Sequence, residues 1–149
     1  MEIDLYIRSE CERQHTTNIN EMRRAFVWAA SFDKESTGNI GFLLQSIAKI
    51  VEPDVNAWDA SFSNLRKSEV GFANGGRASR AIDVERHFER LLFLYSGDLA
   101  GQEFEDWCKF LLDIHPWADG NGRTVSIFRN WHLGQMDDPE PLPYYYGQN

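Results

Sequence analysis

Ten consecutive residues hold most of the reactive chemistry of the chain: His115-Pro116-Trp117-Ala118-Asp119-Gly120-Asn121-Gly122-Arg123-Thr124. They bring a base, an acid, an amide, a cation and two glycines into one short stretch. Gly120 and Gly122 permit backbone angles that other residues avoid, so successive N–H groups around Asn121 can turn toward one point. At a helix start those groups also feel the positive end of the helix dipole, which favours an anion. Arg123 adds a permanent, multidentate cation suited to phosphate oxygens. Asp119 beside a phosphate is repulsive unless it holds a divalent metal, and Mg²⁺ takes one or two carboxylates plus phosphate oxygens. His115 lies close by and can serve as general base for a hydroxyl. Together the parts suit phosphoryl or nucleotidyl transfer, where catalysis is chiefly positioning and charge stabilisation. Taken singly they read otherwise: a lone histidine is most often a satisfied core residue, and Asp-Gly-Asn-Gly a plain turn. A calcium loop needs further acidic ligands ending in a glutamate, and Thr124 to Asn130 contains no acid.

The elements on either side must position this stretch. Phe104, Trp107, Cys108, Leu111 and Leu112 repeat at helical spacing, and His115 continues their stripe one turn beyond Leu111. Pro116 ends that helix, because the residue before a proline is pushed out of the α region. Val125, Phe128, Trp131 and His132 mark a second helix beginning near Gly122. Further upstream, Asn20 is a candidate cap for a helix turning Met22, Ala25, Phe26, Ala29 and Ala30 inward. Ile40, Leu43, Leu44, Ile47, Ile50 and Val51 form another helical stripe, closed by Pro53. A mixed loop from Asp54 to Ser68 carries Trp58, Phe62, Leu65 and Arg66. Val70 and Phe72 then alternate with smaller residues before Asn74-Gly75-Gly76, the pattern of a tight hairpin. Val84, Phe88, Leu91, Leu92 and Tyr95 give a further helix. Residues 1 to about 18 are weakly patterned and read as a frayed or accessory segment. Beyond about Gly134 three prolines and three acids precede Tyr144-Tyr145-Tyr146, so a tail without regular structure is expected, folded back by its tyrosines.

Composition narrows the partners. The 149 residues suffice for one core, with a formal net charge of −8 that disfavours a nucleic-acid partner held through phosphates. Cys11 and Cys108 make no disulfide framework, no secretory signal is visible, and no stretch approaches a transmembrane span. A cytoplasmic protein without a membrane partner is the expectation.

His115 to Arg123 resembles the signature of the Fic (filamentation-induced-by-cAMP) family, His-Pro-Phe-x-Asp-Gly-Asn-Gly-Arg, with Trp117 in place of the phenylalanine. Phe62 to Arg66 and Val70-Gly71-Phe72 resemble the segment before and within the family's β-hairpin flap, and the resemblance covers residues about 38 to 134. It implies an all-α Fic-like core with one small β-hairpin flap, an N-terminal helical extension over residues 1–37 and a C-terminal tail over 135–149. It further implies an enzyme that transfers AMP from ATP to a Ser, Thr or Tyr hydroxyl of a target protein, using Mg²⁺. Carried over by position, His115 deprotonates the target hydroxyl and Asp119 holds the metal. Gly120, Asn121 and Gly122 cradle the donor phosphates and Arg123 binds them. Trp117 anchors the loop in the core. The flap residues Val70, Gly71, Phe72, Ala73, Asn74 and Gly75 pair with an extended segment of the target by strand addition.

One position departs from the family. The second arginine, three residues after the first, is here Ser126. Arg129 is the nearest replacement on that helix, with Lys67 and Arg77 from the flap region as others. The gap leaves open a different donor, UTP or a CDP-linked group, and a catalytically silent interaction module. Many family members silence themselves with a glutamate in a Ser/Thr-x-x-x-Glu-Gly/Asn motif. Ser31 to Glu35 has part of that spacing but is followed by Ser36, so the match reads as coincidence and the protein as constitutively competent.

Overall fold

The computed structural model describes residues 1–35, 38, 40–71 and 78–143. Among them are six α-helices and no β-sheet: α1 (Ile3–Arg13), α2 (Ile19–Ala30), α3 (Ile40–Val51), α4 (Val84–Phe93), α5 (Gly101–Ile114) and α6 (Asn121–His132). A 3-10 turn, Ala81–Asp83, leads into α4. No helix among the described residues is long and apolar enough to cross a membrane. The mainly helical class expected from the apolar spacing is present. The hairpin expected over Val70 to Arg77 falls largely on residues 72–77, outside the described residues.

The helices assemble around α6, every residue of which is buried. α2, α3 and α5 all pack on it, while α1 lies on α2 and α4 on α5. The stripe of α3 buries Leu43, Leu44, Ile47, Ala48 and Val51, and that of α5 buries Phe104, Trp107, Cys108, Leu111 and Leu112. Helices this short are marginal in water by themselves, so burial of these stripes supplies most of their stability.

Three local features differ from the sequence reading. The first residues form a packed helix rather than a frayed segment: Tyr6, Ile7 and Cys11 of α1 are buried in the common core. Their sparse apolar spacing hid this, because Glu10 is also buried, paired with Arg13. In α2 the cap position belongs to Asn18, and Ala30 faces solvent. Residues 133–143 lack helix but do fold back, through Leu142, which is buried, and through Asn130, whose amide binds Glu140 at both backbone groups. Tyr144, Tyr145 and Tyr146 lie outside the described residues.

Candidate active site at the α5–α6 loop

The loop between α5 and α6 begins with a reversal at His115, which caps α5 in the left-handed region (φ 53°, ψ 64°). A non-glycine residue there stores about 1–3 kcal/mol of strain, which the surroundings must hold. Arg66 holds it. Its side chain is buried and donates to the carbonyls of His115, Ile114 (3.0 Å), Ser68 (2.8 Å) and Ser79, while its backbone N–H donates to Pro116 (2.7 Å). The carbonyls that end a helix have no intrahelical donors, and a cation there also meets the negative end of the dipole.

The next anchor is Trp117, fully buried, with its indole N–H on Asn64 Oδ1 at 2.9 Å and its ring edge-on to Phe88. Asn121 reaches back to the same residue. Its Oδ1 accepts from the Trp117 N–H (3.0 Å) and its Nδ2 donates to the Trp117 carbonyl (2.9 Å). Both polar ends of the Asn121 side chain therefore brace the loop. What it can offer a ligand is its backbone N–H, since no side chain caps the start of α6.

The two glycines serve different ends. Gly120 takes φ 78°, and a Cβ there would meet Val51 Cγ2 at 2.8 Å, so the loop lies directly on the end of α3. Gly122 is already helical; a Cβ there would meet the Gln14 amide at 2.6 to 3.0 Å. The α1–α2 corner thus presses on the loop from beneath.

Arg123 is 2% exposed. Its Nη2 donates to Glu52 Oε1 at 2.8 Å and lies 3.7 Å from Asp119 Oδ1, while its Nε and Nη1 have no hydrogen-bond partner among the described residues. Glu52 follows α3 directly and also accepts from Asn18 Nδ2 at both oxygens (2.9 Å). Asp119 is mostly exposed. Its Oδ1 accepts from the Gly120 N–H at 2.7 Å, and its carbonyl from Asn56 Nδ2 at 2.9 Å. A phosphate-bound Mg²⁺ asks for one or two carboxylates, and Asp119 fits that demand as the open one.

His115 is held partly buried. Burial lowers its pKa from the usual range, the Arg66 charge lowers it further, and the Leu112 carbonyl and Asp119 oppose the shift. The ring is therefore mostly neutral near pH 7, the form that accepts a proton.

Arg129, expected to replace the missing second arginine, is committed elsewhere. It pairs with Glu105 (3.0 Å) and Glu140 (2.8 Å), so it braces α5 and the C-terminal segment rather than serving the loop. Ser126 also has a packing reason. Its hydroxyl hydrogen-bonds Tyr6 Oη at 2.6 Å, and Tyr6 is fully buried, so α1 occupies the space a long cation would need. Lys67 is exposed, Val70 is half-buried and Gly71 exposed, while Phe72, Ala73, Asn74, Gly75 and Arg77 lie outside the described residues. Glu35, exposed, hydrogen-bonds only within its own turn among the described residues, with its N–H on Asp33.

Glu52, Asn18 and Gln14 carry no motif, and Arg66 enters the sequence reading only within the Asp54 to Ser68 loop and at the end of the Phe62 to Arg66 resemblance, without a site role. Glu52 alone left a signal: an acid just past a helix C-terminus sits at the wrong end of the dipole, a local conflict that invites a functional explanation.

No family model matches the chain, and neither does any curated protein or solved structure.

Proposed function

We propose that the chain is a Fic-type protein nucleotidyltransferase that moves AMP from ATP to a Ser, Thr or Tyr hydroxyl of a target protein, with Mg²⁺. One observation supports the reading above the others. Among the described residues, buried polar atoms that lack a hydrogen-bond partner gather at one end of α6: Arg123 Nε and Nη1, Thr124 Oγ1, Gln14 Nε2 against Gly122, and Asn56 Oδ1, whose amide holds Asp119. Further along the same helix, the buried Ser126, Arg129, Asn130 and His132 are all paired. Leaving a buried polar group unpaired costs about 1–3 kcal/mol, so such a concentration supports reading this end of α6 as the place of a polar ligand.

The chemistry follows from the positions. A ring nitrogen of His115 takes the proton of the target hydroxyl. The freed oxygen forms a bond to the α-phosphorus of the donor, the bond from that phosphorus to the bridging oxygen breaks, and pyrophosphate leaves. The uncapped N–H groups of α6 receive the charge that develops on phosphate oxygens, with the buried Arg123 guanidinium behind them. Glu52 and Asp119 set two carboxylates against the single Arg123 charge, so the loop by itself does not attract an anion. Asp119 is the residue that would hold Mg²⁺, which would supply the missing positive charge.

The covered face at Ser126 favours a second reading of the donor. With Tyr6 on Ser126 and Arg129 engaged, no cation follows Arg123 along α6 to meet a terminal phosphate. UTP or a CDP-linked donor therefore stands beside ATP. The Glu52–Arg123 pair is the feature that would favour the silent module.

Incubation with each labelled nucleotide, Mg²⁺ and a cell lysate, followed by intact-mass analysis, tests the proposal. Label transfer that requires His115 and disappears in His115→Ala is expected. Absence of transfer from every nucleotide, with binding retained, would leave the silent module in its place.

A further inference from the structure

Two neighbouring helices each carry a second apolar row besides the one they bury in the common core. In α4, His87, Leu91 and the capping Leu94 fall on one face at i, i+4 and i+7. In α5, Phe110 and Ile114 stand one turn apart. The helices pack on each other, and these rows meet along one edge of the seam around a pocket of about 540 Å³ that Ala78 and Ser79 also line. Leu91 and Ile114 are buried, whereas Leu94 and Phe110 are 59% and 60% exposed. Ser79 Oγ and His87 Nδ1 hydrogen-bond each other at 2.8 Å. The remaining polar residues of the lining, Arg90 and Asp113, are exposed.

This pocket adjoins the candidate site through the end of α5. The Arg66 guanidinium donates to the carbonyls of Ser79 and Ile114, which line the pocket, and to that of His115. The proposed phosphate end lies beyond His115 in the chain, at the first turn of α6. Displacement at the α-phosphorus runs in line, with the incoming hydroxyl opposite the leaving pyrophosphate. A donor whose phosphates rest on α6 therefore leaves the α5 side of the base for the acceptor.

We propose that the pocket takes a bulky apolar side chain of the target protein, such as Leu, Met or Phe, one to three residues from the modified hydroxyl. The inference rests on the transfer reading and names the kind of acceptor used by that same site. An extended target segment advances about 3.3 Å per residue, so the residues beside the acceptor lie over this surface. Leu94 and Phe110 are the specificity-determining residues, because they offer apolar area that the fold leaves open. A nucleobase is a poorer occupant. It needs polar groups facing the pocket, and Ser79 and His87 already satisfy each other.

Transfer from each labelled nucleotide with Mg²⁺ to peptides bearing one central Ser, Thr or Tyr and randomised flanks tests it, with a whole-cell lysate as parallel acceptor. Labelled peptides should be enriched in Leu, Met or Phe at one flanking position. Replacing that residue by Ala in a selected peptide should lower kcat/KM about tenfold. Leu94→Asp and Phe110→Asp should bring the selected peptide down to the level of its Ala counterpart. Both side chains are more than half exposed, so thermal unfolding of the variants should match the parent. If nucleotide affinity falls with these substitutions, the pocket holds the donor and the proposal is overturned. It is also overturned if peptides are labelled without a flanking preference, if the preference survives both substitutions, or if lysate proteins are labelled and no peptide is. If neither acceptor is labelled from any nucleotide, the transfer reading itself fails and the inference falls with it.

Discussion

Arg123 reaches its loop already bonded to a carboxylate, and this shapes what each partner does. Breaking a buried ion pair from one side costs about 3–5 kcal/mol, because the remaining charge stays in a poorly solvated place. Arg123→Ala should therefore lower the melting temperature by roughly 10 °C and weaken nucleotide binding together, as read by thermal shift with and without Mg²⁺-ATP. Unchanged nucleotide affinity would remove Arg123 from the phosphate site. Glu52→Gln separates the two effects: it leaves an amide for hydrogen bonding but deletes one of the two acids facing Arg123. Nucleotide affinity should rise about tenfold, with less dependence on Mg²⁺. The motif residues were legible in the sequence because their types already state their chemistry. Glu52, Asn18 and Gln14 were not, since each is ordinary by type and acquires its role from a contact with the loop far along the chain.

The helices were easier to read than the segments between them. A stripe at helical spacing survives almost any tertiary arrangement, which is why Ile40–Val51 and Gly101–Ile114 fall close to the apolar runs that foretold them. α1 was missed because its inward face mixes Tyr6, Ile7 and Cys11 with the charged Glu10. α6 begins where its stripe of Val125, Phe128, Trp131 and His132 places it, but its burial on every side was not legible, because its interior polar residues are satisfied by partners elsewhere. The loop after α3 was least legible, although it provides Arg66, the residue that binds the end of α5. Arg66→Lys should expose that dependence. A single ammonium cannot span the four carbonyls that the guanidinium reaches, so about 2–4 kcal/mol of stability should be lost. Transfer by His115 should fall by more than nucleotide affinity, because Arg66 supports the left-handed turn and not the phosphate end. Equal losses in both would argue against that division.

Across the whole molecule, the buried His132 and the partly buried His115 tie stability to pH. Burial lowers the pKa of His115, and it does the same to His132, with the Leu99 carbonyl opposing the shift and Lys34 adding to it. Because the folded values lie below the ordinary value near 6.5, the unfolded chain binds more protons in that window. Their contribution is complete above about pH 6.5 and is lost as pH falls through the folded values. Urea unfolding at pH 7.5 and 5.5 should give lower stability at the acid end, and His132→Gln should flatten the difference. The transfer rate should hold to pH values below 6.5 before its acid limb begins, since the base stays neutral there. Finally, the burial of α6 along its whole length bears on how a ligand would announce itself. A helix covered on every side exchanges its amide hydrogens only when the molecule unfolds globally. A nucleotide seated at its first turn would therefore slow deuterium uptake in the slowest core amides of every helix packed on α6. Its footprint would be a uniform protection of the fold, larger in the core than at the loop it touches.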